Sequence, residues 1–209
     1  MPNTLGYENH AQDYEQWFEE HPELYQAEIK AIQSLLPEGK GVEIGAGSGR
    51  FTLPLAIDTG VEPAKAMREI ALAKELNVID GVAETLPLED QSFDFAIFVT
   101  STCFLDDPLK AYQEAARVVK NQGQIVIAFL EKSSELGKVY EQHKHENPLF
   151  AQATFYSYEE IISMLEQAGF EQFESMQTVL PESPEHKPND VLSGHDKGTF
   201  VVVSARKRN

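Results

Sequence analysis

The beginning of the chain is patterned as helix. Over residues 11–36, apolar side chains recur at intervals of three and four, as the buried face of an amphipathic helix requires. This segment forms one or two helices, and Pro22 suits the first position of the second. The glycines and proline of "PEGKG" then end the pattern. We therefore assign residues 1–38 to an N-terminal helical cap.

From residue 41 onward, short apolar runs alternate with helical patterns. Five runs are predicted strands: "GVEIG", "DTGVE", "NVIDGVA", "FDFAIFVTS" and "QIVIAFL". The fourth is apolar almost throughout, which is typical of a strand buried on both faces. Helices are predicted to begin at "GRFTLPLA", at Pro63 and at Asp107–Pro108, with Gly123 ending the last of them.

The pattern changes after the fifth strand. Residues 131–156 show no periodicity and are predicted to be an insertion on the substrate side. "SYEE" then forms a capping box, with Ser157 at the N-cap and Glu160 three residues on, and Gly169 ends that helix. "FEQFESMQTVL" and "TFVVVSARK" are strand-like, and residues 181–198 between them are predicted to be a loop.

Alternating strands and helices predict a doubly wound α/β fold, with a mostly parallel sheet covered by helices on both faces. A length of 209 residues suits a single domain over residues 1–209. Ligands of such sheets bind beyond the carboxyl ends of the strands. The run "EIGAGSGR" follows the first strand and therefore lies at that edge.

Composition narrows the classes of partner. A net charge of −17 argues against nucleic acid or an anionic membrane surface, because both recruit clustered Lys and Arg. The one basic cluster, "ARKRN", lies at the C-terminus and is interpreted as a solvated tail. A single cysteine, Cys103, leaves no pair for a disulfide within the chain. With no signal-peptide pattern and no long apolar run, we expect a cytoplasmic protein without membrane segments.

Two cofactors compete for the glycine run. A dinucleotide fingerprint, G-x-G-x-x-G, would place its third glycine where Arg50 stands. Glu43 would also repel a pyrophosphate at the following helix N-terminus. A ligand with cationic groups and no phosphate removes both objections, because Glu43 then attracts its amine directly or through the loop backbone. The glycines allow close approach of the chain to such a ligand. Glu62, which ends the second strand, can accept hydrogen bonds from both hydroxyls of a ribose.

The segments "EIGAGSGR", "GVEP", "GVAETLPLEDQSFDFAIFV" and "AYQEAARVVKNQG" together resemble class I S-adenosylmethionine-dependent methyltransferases that act on small molecules. The resemblance covers roughly residues 7–170, in the family's order and spacing. It implies a Rossmann-like sheet of seven strands with the last strand antiparallel. It also implies S-adenosyl-L-methionine as cofactor and a small-molecule methyl acceptor as substrate.

The resemblance assigns roles to individual residues. Those that would line the methionine half of the cofactor are Glu43, Gly45, Ala46, Gly47 and Gly49. Glu62 would hold the ribose and Pro63 would pack near the adenine. Ala83 would offer its backbone N–H to the adenine, with Glu84 beside it. Thr100 would face the methyl group. Tyr14 belongs to an N-terminal segment that covers the cofactor in relatives, and core packing of the terminal helix is the alternative for this residue.

One position departs from the family pattern. Many relatives read "GDAE" where this chain reads "GVAE", so the Asp that accepts from the adenine amino group is replaced by Val82. Either Glu84 or Asp80 takes over that role, or backbone and apolar contacts hold the adenine.

The catalytic residues and the acceptor stay open at this stage. Transfer of a methyl group from a sulfonium needs alignment above all, and a base only for a protonated or hydroxyl acceptor. His143 and His145 are interpreted as part of a solvated loop, with substrate contact as the alternative and without metal-ligand spacing. Cys103 is interpreted as a packing residue.

The aromatic residues of the insertion have two interpretations. Phe150, Phe155, Tyr156 and Tyr158 form either an apolar wall of a substrate pocket or a small satellite core. Two other functions also stay open: a protein that binds the cofactor without catalysis, and, less favoured, a nicotinamide-dependent oxidoreductase.

Overall fold

The structure is a computed structural model that describes residues 4–209. One eight-stranded sheet runs through it, in the order β3-β2-β1-β4-β5-β8-β6-β7. The strands are β1 (Gly41–Ile44), β2 (Thr59–Val61), β3 (Val78–Ile79), β4 (Phe93–Val99), β5 (Val119–Leu130), β6 (Phe170–Thr178), β7 (Leu192–Ser193) and β8 (Phe200–Lys207). The helices are α1 (Leu5–Asn9), α2 (Ala11–Glu20), α3 (Pro22–Gln33), α4 (Lys65–Ala73), α5 (Pro108–Val118), α6 (Glu135–His143) and α7 (Tyr158–Gln167).

The predicted fold class is confirmed. Strands β1 to β5 pair in parallel, and β8 is antiparallel to both β5 and β6. The strand order reverses between β1 and β4, which puts the loop after β1 at the switch point where ligands of such sheets bind. The eighth strand, β7, lies inside the segment predicted to be a loop and pairs with β6 through only two residues, too few to leave a sequence pattern.

Both faces of the sheet are covered, as the apolar run of β4 predicted. Ala96 and Phe98 of β4 point into the core beneath α5 and α7. Phe95 and Ile97 point to the opposite core, which contains Phe18 and residues of α3. Successive side chains of a strand alternate between faces, so one strand contributes to both cores. Among residues 4–209, no helix is long and apolar enough to span a bilayer.

One predicted helix is absent, and two predicted helix boundaries were wrong. "GRFTLPLA" forms consecutive turns and no α-helix, because Pro54 has no N–H to continue the hydrogen-bond ladder. Helix α4 begins at Lys65, two residues after Pro63, since Ala64 is still extended. Helix α5 ends at Val118, and Gly123 lies within β5, where an added Cβ would come within 2.6 Å of a β4 carbonyl oxygen.

The insertion at residues 131–156 contains a helix that the sequence pattern did not indicate. Ser134 caps α6 by accepting a hydrogen bond from the Gly137 N–H at 2.9 Å. Gly137 itself has no room for a side chain, since a Cβ would lie 2.0 Å from the Glu131 carbonyl oxygen. A glycine in the first turn weakens the helical signal. By contrast, the capping box of Ser157 and Glu160 is confirmed at the start of α7.

Candidate functional site

The loop after β1 turns sharply through three glycines. Gly45, Gly47 and Gly49 have φ of 77°, 55° and 82°, a region that residues with a side chain rarely adopt. A Cβ at Gly45 would come within 2.5 Å of the Cβ of Ser101, which follows β4. The Ser101 hydroxyl donates to the Ile44 carbonyl oxygen at 2.8 Å. The loop is therefore held against the carboxyl end of the neighbouring strand.

A buried carboxylate after β2 also holds this loop. Glu62 accepts hydrogen bonds from the Gly47 and Ala64 N–H groups, each at 2.8 Å. Burial raises the pKa of Glu62 to about 6, although these two backbone hydrogen bonds lower it. Each carboxylate oxygen retains a second lone pair that can accept from a further donor. Glu62 is thus placed to support the loop and to meet a ligand.

Glu43 lies deeper, within β1. Its carboxyl group accepts a hydrogen bond from the Thr52 hydroxyl and is almost completely buried. Burial raises the pKa of Glu43 to about 8, and the nearby charge of Glu62 adds to the rise against the effect of the Thr52 hydrogen bond. The group is therefore held mostly as a neutral acid at pH 7, beneath the loop.

The glycine loop, the end of β2 and the N-terminal helices enclose a first chamber. Its empty volume is about 700 Å³ including the open mouth. Tyr7 packs edge-to-face against Tyr14 at 5.7 Å and against Phe104 at 5.0 Å between ring centroids. All three aromatic residues line the chamber.

The chamber brings together most of the residues predicted to bind a cofactor. Those that line it are Tyr14, Gly45, Gly47, Glu62, Pro63, Ala83, Glu84 and Thr100. Glu43, Ala46 and Gly49 are not among the lining residues. Gly49 instead allows close packing, since a Cβ there would meet the Leu76 side chain at 2.1 Å.

The two acids considered as substitutes for the Asp replaced by Val82 are both engaged within the protein. Asp80 forms an ion pair with an arginine of α4 at 3.0 Å and does not line the chamber. Glu84 lines it, but its Oε1 accepts from the backbone N–H groups of Asp106 and Asp107 at 3.0 and 3.3 Å. Of these two acids, Glu84 is therefore the one that lines the chamber.

Two acidic residues that sequence reasoning missed fasten the N-terminal helices over the site. Glu15 accepts from the Ser48 hydroxyl and pairs with Arg50 at 2.9 Å and Lys74 at 3.0 Å. Burial raises the pKa of Glu15, but the hydrogen bonds from these partners outweigh it and lower the pKa overall. Glu8 of α1 accepts from the first two N–H groups of α4, at 2.7 and 3.0 Å, and so caps that helix.

A second chamber adjoins the first and shares three lining residues with it: Tyr7, Tyr14 and Thr100. Its empty volume is about 850 Å³ including the mouth. The lining is mostly aromatic and aliphatic. The insertion at residues 131–156 contributes Leu136, Tyr140, Asn147, Leu149 and Phe150. The remaining lining residues come mainly from α2, α3 and the ends of neighbouring strands.

Glu28 of α3 is the one acidic residue in the described lining of the second chamber. Sequence reasoning missed it, although the signal was present. Glu28 lies four residues after Leu24 and four before Ile32, so it interrupts an apolar helical stripe. A charged residue in such a stripe is rare without a partner.

The histidines of the insertion lie outside both chambers. His143 and His145 are exposed, and the His143 ring contacts the Glu146 carboxylate at 3.2 Å. This placement agrees with a solvated segment. Across residues 4–209, no group of three or more His, Cys, Asp or Glu side chains is arranged to hold a metal ion.

Cys103 and the other aromatic residues of the insertion pack behind the site. The Cys103 thiol donates to the Thr100 carbonyl oxygen at 3.3 Å, and burial raises its pKa to about 12, so it stays protonated. Phe155 and Tyr156 line a small cavity beside it, and Tyr158 stacks on a histidine ring. Of the four aromatic residues predicted as a pocket wall or satellite core, Phe150 lines the second chamber.

Comparison with known proteins agrees with this geometry. A family model described as a methyltransferase domain matches residues 42–127. An uncharacterized protein of Methanocaldococcus jannaschii is 37% identical over 201 residues, covering 96% of this chain and 98% of the relative. The demethylmenaquinone methyltransferase of Staphylococcus aureus is 26% identical over 186 residues, covering 73% of this chain and 76% of the relative.

One solved structure is similar over nearly the whole length. It is the crystal structure of a SAM-dependent methyltransferase, described as a possible histamine N-methyltransferase, from Thermotoga maritima. It has a TM-score of 0.94 and 42% sequence identity, with 99% of this chain and 100% of that chain covered. With this match, the family model and the switch-point site in agreement, the chain belongs to the class I S-adenosylmethionine-dependent methyltransferases.

Proposed function

We propose that the protein transfers a methyl group from S-adenosyl-L-methionine to a small-molecule acceptor. The cofactor occupies the first chamber and the acceptor occupies the second. The observation that carries this proposal is the position of Glu62, whose carboxylate lies beside the glycine loop at the end of β2 and lines the first chamber. A pair of ribose hydroxyls can donate to the lone pairs that Glu62 retains.

The chemistry of the first chamber fits this cofactor better than a dinucleotide. Its titratable acids are Glu62 and Glu84, and its described lining contains no Lys or Arg. A pyrophosphate would face carboxylates with no cation to balance it, whereas an ammonium and a sulfonium gain from them. The same edge of the sheet offers the backbone of Gly45 and Gly47 at close approach.

The residues of the chain act mainly by alignment and by excluding water. S-adenosylmethionine supplies an electrophilic methyl group, so the protein need not generate a nucleophile of its own. Thr100 lies at the junction of the two chambers, where the methyl group must pass. Tyr7 and Tyr14 line both chambers and keep bulk water from that junction. The ion pairs of Glu15 hold α2, which contains Tyr14, and the hydrogen bonds of Glu8 hold α1, which contains Tyr7.

Replacing Glu62 by alanine is expected to weaken binding of S-adenosylmethionine and S-adenosylhomocysteine at least tenfold, about 1.4 kcal/mol. The variant loses the acceptor for the ribose, a hydrogen bond from Gly47 of the glycine loop and a hydrogen bond from Ala64 before α4. Isothermal titration calorimetry of the cofactor-stripped protein with both compounds and with NAD measures the effect. Glu69→Ala is the matched control, since it removes the same charge from an exposed position of α4.

The outcomes separate the proposal from its alternatives. Binding of both adenosyl compounds, weakened in Glu62→Ala and unchanged in Glu69→Ala, supports the assignment. Equal affinity in wild type and Glu62→Ala contradicts the ribose role, and binding of NAD alone indicates an oxidoreductase. A screen of acceptors, including histamine because of the Thermotoga maritima relative, then follows methyl transfer by mass. Tight binding without turnover across a broad screen favours a non-catalytic binding protein.

A further inference from the structure

The second chamber contains a buried carboxyl group that has no hydrogen-bond or ion-pair partner in the part of the chain that the structure describes. Glu28 is 5% exposed and lines the chamber. The hydrogen bonds and ion pairs among residues 4–209 include none to its carboxyl oxygens. Buried polar groups in folded proteins are nearly always paired, and an unpaired buried acid destabilises the fold. Glu28 therefore lacks a partner among residues 4–209, and a bound ligand can supply one.

The surroundings of Glu28 define the chemistry of that partner. Aromatic rings line the same chamber, among them Tyr14, Trp17, Phe18 and Tyr140. Faces of aromatic rings attract cations, and a desolvated carboxylate attracts them more strongly. The described lining contains no Lys or Arg that could neutralise Glu28 or attract an anion. An acidic or phosphorylated acceptor would therefore find no lining cation to balance its charge.

We propose that the second chamber binds the methyl acceptor through a cationic nitrogen, with Glu28 as the counter-ion and the aromatic lining packed around the organic body. This inference rests on the proposed function, because it takes the second chamber to be the acceptor site. It narrows the acceptor to amines and protonated nitrogen heterocycles, with an apolar portion that fills the rest of the chamber. Glu28 is thus the residue that determines specificity.

A matched series of ligands tests the charge preference directly. The probes are 2-phenylethylamine, 2-phenylethanol and 3-phenylpropionate, which present a cationic, a neutral and an anionic end on similar bodies. A second pair, tryptamine and tryptophol, repeats the comparison with a larger ring. Each is titrated calorimetrically into the protein saturated with S-adenosylhomocysteine. We expect each amine to bind at least tenfold more tightly than its alcohol, about 1.4 kcal/mol, and the carboxylate to bind weakest of all.

Two variants assign that preference to one side chain. Glu28→Gln keeps the shape of the side chain and removes its charge. In this variant the amine and the alcohol are expected to bind with about equal affinity. Glu23→Gln removes the same charge from an exposed position of the same helix and is expected to keep the preference. Affinity for S-adenosylhomocysteine is measured first in each variant and shows that its first chamber is intact.

Each outcome has a distinct meaning. Loss of the preference in Glu28→Gln alone supports the inference. Equal affinity for amine and alcohol in the wild type, or no binding of either amine to the protein saturated with S-adenosylhomocysteine, overturns it and leaves the proposed function standing. A wild-type protein that does not bind S-adenosylhomocysteine overturns the proposed function itself. Because the comparison within the wild type needs no variant, a poorly folded Glu28→Gln protein does not block the test.

Discussion

Gly45→Ala is expected to reduce the affinity for S-adenosylhomocysteine at least 100-fold, about 2.7 kcal/mol. A side chain at φ 77° strains the backbone by roughly 1–2 kcal/mol. The new Cβ would also lie 2.5 Å from the Ser101 Cβ, so the loop or the end of β4 must move. Either shift displaces the Ser101 hydroxyl from the Ile44 carbonyl oxygen and carries the glycine loop away from its ligand. Calorimetric titration measures the loss.

Gly169→Ala is the matched control, because it strains the backbone without displacing a neighbouring residue. Gly169 has φ of 94°, and a Cβ there would meet no heavy atom within 4 Å. It follows α7, away from both chambers. This control is expected to lose roughly 1–2 kcal/mol of unfolding free energy in urea and to keep its affinity for S-adenosylhomocysteine. If Gly45→Ala behaves like Gly169→Ala, the loop tolerates a side chain and is not the cofactor cradle.

Local signals were sufficient where neighbouring residues decide the structure. The capping box at Ser157 and the N-cap at Asp107 depend on side chains within three residues, so the sequence contains the whole interaction. The alternation of strands with helices likewise predicted the doubly wound sheet. That topology alone places the glycine loop and Glu62 at the carboxyl ends of the parallel strands, where ligands of such sheets bind.

Interactions between distant parts of the chain could not be predicted in this way. Glu8 caps a helix that begins 57 residues later in the chain, and Glu15 reaches Lys74 across 59 residues. Neither contact leaves a local pattern. The start of α4 was misplaced for a different, local reason: the Ala64 N–H donates to the Glu62 carboxylate two residues earlier, and Ala64 stays extended outside the helix.

Glu28 is an intermediate case. Its position in the helical pattern is a local signal, but its surroundings depend on a distant part of the chain. An acid within the apolar stripe of α3 indicates a buried charge. Whether the stripe faces a closed core or a chamber depends on the insertion at residues 131–156, which closes over it with Tyr140 and Phe150. The second chamber, proposed as the acceptor site, is thus lined by two segments far apart in the chain.

Glu28→Gln is expected to stabilise the ligand-free protein by an amount that grows with pH. Burial raises the pKa of Glu28 from its ordinary value of 4.5 to about 8. Between these two values the unfolded chain has released the proton and the folded protein still holds it. The wild type therefore loses stability as pH rises through this window. Glutamine has no proton to release, so the difference approaches zero near pH 4.5 and reaches roughly 3–5 kcal/mol near pH 8.

Urea unfolding of wild type and variant at a series of pH values from 5 to 9 measures this difference. The groups that act electrostatically with Glu28 are Tyr14, Tyr25 and Tyr140, whose pKa values are all raised by burial, so they stay neutral throughout this range. The exposed Glu23→Gln variant is expected to show no such pH-dependent gain. If the difference in unfolding free energy between wild type and Glu28→Gln stays constant with pH, Glu28 ionises freely in the empty chamber. The stabilising result, paired with lost amine selectivity, would identify Glu28 as a residue retained for binding at a cost in stability.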